Sequence, residues 1–168
     1  MKLTKVSSLI AYAVAAGLIG YAVSLILVRL GQPLPSSPTN LLVTLPVISV
    51  VLVILAIPVV RYQTAIKKNL ALPAGAKPVL VKRVDPFYAL RVALLSKAVA
   101  ISGSIFLGWH GGVLVVVLTS PQISESAAWR SAFGLAGSLT MVIAGIIIER
   151  ACRVPPDSTA TDTEATAA

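Results

Sequence analysis

Residues 41–60, LLVTLPVISVVLVILAIPVV, decide the fold, because this stretch contains no charged side chain and is almost entirely aliphatic. About 20 apolar helical residues span the roughly 30 Å hydrocarbon core of a bilayer. Three further apolar runs of comparable length flank it, at residues 8–30, 93–119 and 131–149. The sequence therefore predicts an all-α fold, a four-helix transmembrane bundle, over residues 1–154.

The composition of the chain agrees with a membrane protein and argues against a soluble domain. Of the 168 residues, 57% are hydrophobic and 12% are charged, whereas soluble domains carry about 25% charged residues. So few polar side chains could not coat such a large apolar core in water. The net charge of +8 could suggest nucleic-acid binding, but no aromatic-interleaved basic segment, zinc spacing or long basic helix accompanies it.

Lysine and arginine lie in alternate gaps between the spans, and this asymmetry predicts the orientation. Basic residues precede the first span, fill residues 61–85 and follow the last span, whereas the two remaining gaps hold only Arg29 and Arg130. The positive-inside rule then places both termini in the cytoplasm of a plasma-membrane protein. The first apolar run is longer than the roughly 7–15 residues of a signal peptide, so we expect an uncleaved span.

The segment 61–85 is predicted to be a basic cytoplasmic loop, and Pro58 is expected to kink or end the helix before it. Each basic residue near an anionic membrane surface contributes about 1 kcal/mol of attraction. We therefore expect the lipid bilayer, with its anionic headgroups, to be one binding partner of this loop. The predicted headgroup contacts are Arg61, Lys67, Lys68, Lys82 and Arg83. The tail 155–168 lacks large apolar residues and is predicted to be disordered.

Small side chains recur at every fourth position of the third span. The row consists of Ser96, Ala100, Ser104, Gly108 and Gly112. Helices that carry such rows can approach each other closely. We expect a helix-packing groove that receives Gly134 and Ser138 of the fourth span, or Ala16 and Gly20 of the first. The alternative is an interface with a second copy or another membrane protein.

Ionisable side chains mark two further candidate sites. Lys97 and Glu149 share a predicted depth at the cytoplasmic edge, so we expect an interhelical ion pair; the alternative is a proton or ion relay. His110 lies near the middle of its span and is a candidate intramembrane polar site. A lone histidine without neighbouring ligands is a poor metal site, so we expect a neutral imidazole hydrogen-bonded to Ser138 or Thr140.

Motifs that would indicate catalysis are missing from the sequence. There is no nucleophile–base pair, phosphate-binding loop, acidic dyad or metal-ligand spacing. The single cysteine, Cys152, cannot form an internal disulfide bond. The sequence therefore predicts no enzymatic activity, no cofactor and no metal.

Two segments that flank the third and fourth spans carry a family resemblance. They contain Asp85-Pro86, Ala89, Arg91, Leu94-Leu95-Ser96-Lys97-Ala98, Gly103 and Gly108-Trp109, and then Glu149-Arg150-Ala151-Cys152-Arg153-Val154-Pro155. With them the chain resembles the actinobacterial domain of unknown function 3180 over most of residues 5–156. The resemblance implies a small multi-pass membrane protein, often encoded beside pterin and folate synthesis genes. It implies no activity and no catalytic residues.

These observations favour a non-enzymatic accessory or scaffold protein that acts through helix packing and a basic cytoplasmic face. Its partner would be a second copy or another membrane protein. The alternative is a small transporter or transporter subunit that uses His110 and the region of Lys97 and Glu149. Polar residues between His110 and the outer loops are sparse, which favours the first hypothesis.

Overall fold

The computed structural model describes residues 4–35, 37–70, 84–120 and 125–152, with only the backbone of Lys67 and Leu70. Within this part the chain forms four helices and no strands, and all four helices are long and apolar enough to cross a membrane. The predicted all-α bundle of four membrane helices is thereby confirmed. The helices are α1 (Val6–Arg29), α2 (Thr39–Leu70), α3 (Pro86–Thr119) and α4 (Glu125–Ala151).

Local sequence signals set two of the helix ends. Asp85 is the N-cap of α3, where its side chain accepts a 2.9 Å hydrogen bond from the Phe87 amide, and Pro86 takes the first helical position. Proline is favoured there because the amide it lacks would have no helical partner. Helix α1 ends at Arg29, and Gly31, two residues further on, has a φ of 68° that suits glycine. The Gln32 amide then bonds the Leu27 carbonyl at 2.9 Å, which completes a Schellman motif.

Helix α2 differs from the sequence-based expectation, because Pro58 does not end it. It continues through both Pro46 and Pro58 to Leu70, so the first ten residues of the predicted loop 61–85 are helical. Each proline removes one backbone hydrogen bond. A break in lipid would leave still more backbone groups without partners, so the continuous helix is favoured.

Helix α3 is the central element of the bundle. It packs between α1 and α4. Helix α2 packs mainly against α4 and to a smaller extent against α3. Among the described helices, α1 packs only against α3. The apolar core lies among α2, α3 and α4. It contains Leu45, Leu52, Ala56, Val59, Val92, Val99, Met141, Ile148 and Cys152.

Both termini of the described chain lie at one end of the bundle, which we call the terminal end. There the Glu149 carboxylate, in the last turn of α4, accepts a hydrogen bond from the Thr4 amide just before α1. The opposite end, where α1 and α3 finish at Arg29 and Thr119, is called the loop end. Helices α1 and α3 therefore run in one direction, and α2 and α4 run in the other.

Helix α2 is displaced along the bundle relative to its neighbours. Ser37, two residues before α2, contacts His110, which lies nine residues before the end of α3. At about 1.5 Å per residue, α2 therefore begins roughly 13 Å inside the loop end. At the terminal end Val60 of α2 and Ile148 of α4 line the same groove and therefore lie at a similar level. Beyond this level α2 continues for ten residues, whereas α4 continues for only three. Helix α2 thus projects about 10 Å beyond α4.

Candidate functional site

The small residues of α3 are divided between two neighbouring helices. Gly108 and Gly112 contact α1, while Ser96 and Ala100 contact α4 at Gly145. Ser96 and Ala100 are fully buried, and Ser104 between the two groups is 2% exposed. The row predicted as one groove therefore serves two separate helix contacts, one towards each end of α3.

The contact of α1 with α3 is backbone against backbone. A Cβ on Gly108 would overlap the Ala13 carbonyl, and a Cβ on Gly112 would overlap the Gly17 carbonyl. Gly108 and Gly112 are four residues apart on α3, as are Ala13 and Gly17 on α1. The two parallel helices therefore pack in the same register over both contacts. On the next turn a Cβ on Gly20 would lie 2.9 Å from the Trp109 carbonyl oxygen. Small residues permit this close approach, which lets van der Waals packing hold α1 in lipid.

The contact of α3 with α4 also depends on glycines, but here they face both side-chain and backbone atoms. A Cβ on Gly145 would lie 2.8 Å from both the Ala100 Cβ and the Ser96 carbonyl oxygen. A Cβ on Gly103 would lie 2.8 Å from the Met141 Cβ. Gly103 lies outside the row at every fourth position, so the sequence pattern alone did not identify it as a contact residue.

His110 is the most enclosed ionisable side chain of the candidate site. It is 1% exposed, and its ring occupies the space that a side chain on Gly134 would fill. Its Nδ1 lies 2.8 Å from the Phe106 carbonyl, which only accepts hydrogen bonds, so Nδ1 carries the proton of the neutral ring. Nε2 then accepts the hydrogen bond from the Ser37 hydroxyl, 3.0 Å away.

The expected hydrogen bond from His110 to Ser138 or Thr140 is therefore wrong. Both of those hydroxyls are engaged within α4: Ser138 donates to the Gly134 carbonyl at 2.8 Å, and Thr140 donates to the Gly137 carbonyl at 2.7 Å. The partner of the imidazole comes instead from the segment that returns into the bundle before α2. Nothing in the sequence around Ser37 indicates that this residue lies so deep.

The two buried hydroxyls of the α3 row, those of Ser96 and Ser104, are bonded to their own helix. Ser96 donates to the Ala93 carbonyl at 2.8 Å, and Ser104 donates to the Ile101 carbonyl at 2.7 Å. Such local bonds satisfy a serine in an apolar surrounding without a partner on another helix. These serines therefore act as small packing residues and do not form a continuous hydrogen-bonded path with His110.

Glu149 and Lys97 do not form the expected ion pair in the described part of the chain. The Glu149 carboxylate oxygen Oε1 accepts hydrogen bonds from the Thr4 amide at 2.8 Å and from the Thr4 hydroxyl at 2.9 Å. Lys97 lies about 100° around the helix from Ser96 and about 60° from Ala100, and within the described residues it forms no ion pair or hydrogen bond. Glu149 thus fastens the start of α1 to the end of α4.

The basic residues predicted to contact lipid headgroups are described only in part. Arg61 and Lys68 are exposed on the segment of α2 that leads out of the bundle. The side chain of Lys67, and all of Lys82 and Arg83, lie outside the described residues, as does the tail 155–168. The structure therefore places two of the five predicted contacts at the terminal end.

Groups suited to metal binding or redox chemistry are scarce in the described ranges. No cluster of three or more His, Cys, Asp or Glu side chains occurs there. Cys152, directly after α4, is a free and buried cysteine, and its burial raises the pKa of the thiol. A thiol that holds its proton more tightly is a weaker nucleophile near neutral pH.

Comparison with known proteins identifies the family of the chain. The family described as "Protein of unknown function (DUF3180)" matches residues 9–156. The chain therefore belongs to this family. No curated protein and no solved structure matches the chain.

Proposed function

We propose that this chain is a non-enzymatic accessory or scaffold protein of the plasma membrane, with both termini in the cytoplasm. The observation that carries the proposal is the continuation of α2 beyond Val60 as a helix to Leu70, which buries Gln63 and Ala65. This segment presents Arg61 and Lys68 to the surroundings. Helical segments with exposed basic residues bind acidic surfaces of partner proteins and anionic membranes.

The interior of the bundle supports a structural role over catalysis. The buried serines of α3 bond their own helix, and the glycines of α3 are occupied by α1 and α4. The side chains that could carry protons are therefore already engaged. The part of the molecule left to recognise a partner is its outer surface, which includes the exposed Arg61 and Lys68 of α2.

The orientation in this proposal comes from the distribution of lysine and arginine along the chain. Reporter fusions at Met1 and Ala168 test it directly. A reporter that works only in the cytoplasm, such as a fluorescent protein or β-galactosidase, should be active at both positions. Activity of a periplasmic reporter such as alkaline phosphatase at either terminus would contradict the orientation.

The scaffold role is tested by purification in mild detergent with matched charge variants. We expect a membrane protein or a second copy to copurify in fixed stoichiometry with the wild-type chain. The partner should be lost from the double variant R61Q/K68Q and retained by R150Q/K5Q, which removes two exposed charges at the same end but away from α2. A chain that runs alone, or a partner retained equally by both variants, would contradict the proposal.

A transporter or transporter subunit is the second candidate, and the hydrogen bond between His110 and Ser37 favours it. This bond links a buried titratable ring to the segment between α1 and α2, so protonation of the ring could alter that segment. Liposomes that contain the protein and an internal pH dye separate the two hypotheses. A scaffold should give the same proton flux in wild type and H110Q, whereas a flux that H110Q abolishes would favour transport.

A further inference from the structure

An open groove of about 390 Å³ runs along the outside of the contact between α2 and α4. Its floor contains the buried Ala56 and Ile148, while Val53, Ile57 and Ile147 form its more exposed walls. Ligand-binding pockets in proteins have volumes of about 300–1,000 Å³. The groove is therefore large enough for part of a ligand, and its aliphatic lining suits a hydrocarbon chain.

One end of the groove carries a positive charge. Arg61 lines the groove together with the aliphatic residues. In the segments that the structure describes, its guanidinium has no ion pair and no hydrogen bond. Guanidinium groups bind phosphate oxygens in a forked, bidentate geometry. The groove thus combines an aliphatic channel with one cationic end.

The length and position of the groove match one leaflet of a membrane. From Val53 to Arg61 the groove follows eight residues of α2, or about 12 Å of helix. Half of the hydrocarbon core of a bilayer is about 15 Å thick. Arg61 also lies near the level where α4 ends, at the terminal end of the bundle. The charged end of the groove is thus at the depth of the phosphates, and its aliphatic part is at the depth of the acyl chains.

We propose that this groove is a binding site for one anionic glycerophospholipid, with an acyl chain between α2 and α4 and the headgroup phosphate on Arg61. Other lipids can touch the same surface, but the phosphate of an anionic headgroup meets the guanidinium without the opposing ammonium charge that phosphatidylcholine carries. The proposal does not depend on the scaffold role, since it concerns the bundle itself.

Native mass spectrometry of the detergent-purified protein tests the proposal, with equimolar phosphatidylglycerol and phosphatidylcholine added. The wild-type chain should retain one phosphatidylglycerol in preference to phosphatidylcholine. The variant A144F fills the groove from α4 and should lose the bound lipid. Its control is I143F, which adds the same ring at a neighbouring residue that does not line the groove.

A second pair of variants tests the headgroup contact and does not alter the packing of the bundle. R61Q should weaken phosphatidylglycerol binding about fivefold, the effect of one basic residue near a membrane surface. R130Q removes one exposed positive charge near the start of α4, at the loop end of the bundle, and should leave binding unchanged. Equal retention of the two lipids by the wild type, equal binding by A144F and I143F, or equal binding by R61Q and R130Q would each overturn the proposal.

Discussion

Replacing Gly108 by alanine should detach α1 from the bundle and leave the core of α2, α3 and α4 assembled. The added Cβ would overlap the Ala13 carbonyl, a backbone atom that no rotamer change can move aside. Helix α1 has no other helical partner among the described residues. The whole helix must therefore move away from α3 to make room.

The size of the effect follows from two opposing contributions. Overpacking costs about 1–3 kcal/mol, and the upper value applies because the obstacle is backbone. Alanine gains back about 1 kcal/mol of helix propensity over glycine. The expected net loss for G108A is therefore about 2 kcal/mol. The matched control is G111A, whose Cβ would meet only the Leu135 side chain at 3.6 Å. It should gain up to about 1 kcal/mol.

Trp109 provides a natural probe for this experiment, because its ring lies against Gly20 of α1. The other tryptophan, Trp129, is 59% exposed and can be replaced by phenylalanine. Titration of the W129F protein with sodium dodecyl sulphate in mixed micelles then reports the α1–α3 contact by fluorescence. We expect an altered emission and an earlier transition for G108A only. Identical emission and midpoints for G108A and G111A would refute the proposed role of the glycine contact.

Three further predictions concern single side chains. The Ser24 hydroxyl is fully buried without a hydrogen-bond partner in the described structure, so S24A should be as stable as wild type or up to about 1 kcal/mol more stable; clear destabilisation in a detergent melting assay would contradict this. S37A removes the donor to His110 and should lower stability by about 1–2 kcal/mol, whereas S37T, which keeps the hydroxyl, should retain most of it in the same assay. Burial raises the pKa of the Cys152 thiol, so less thiolate is present at a given pH and iodoacetamide should react more slowly with the folded protein than with the protein unfolded in detergent. Because the folded state holds this proton more tightly, stability should also fall as the pH rises beyond the ordinary thiol pKa; equal alkylation rates in both states would contradict the assignment.

Hydropathy was sufficient to predict the four helices, because the length of an apolar run is a property of the chain itself. At the start of α3, Asp85 and Pro86 act on the first turn directly, which is likewise a local property of the chain. The extension of α2 to Leu70 was not predicted, because its polar sequence after Val60 is compatible with either a loop or a helix.

The contacts of the candidate site depend on the position of α2, which no local pattern encodes. The hydrogen bond from Ser37 to His110 requires α2 to begin inside the bundle. The order of the spans predicts a shared depth for Lys97 and Glu149, but it does not predict that the Glu149 carboxylate binds Thr4. A row of small residues along one helix predicts close packing against another helix. Which helix packs against it depends on the tertiary arrangement.

The dependence of α1 on α3 has a consequence for biosynthesis. Ninety residues separate the end of α1 at Arg29 from the end of α3 at Thr119. Ribosomes add about 5–20 residues per second, so the first helix waits roughly 5 to 18 seconds before its docking surface is complete. During that interval its glycine face is covered only by lipid. Helix α1 must therefore persist in the bilayer as an independent segment, and the uncharged stretch that precedes Arg29 in α1 meets that requirement.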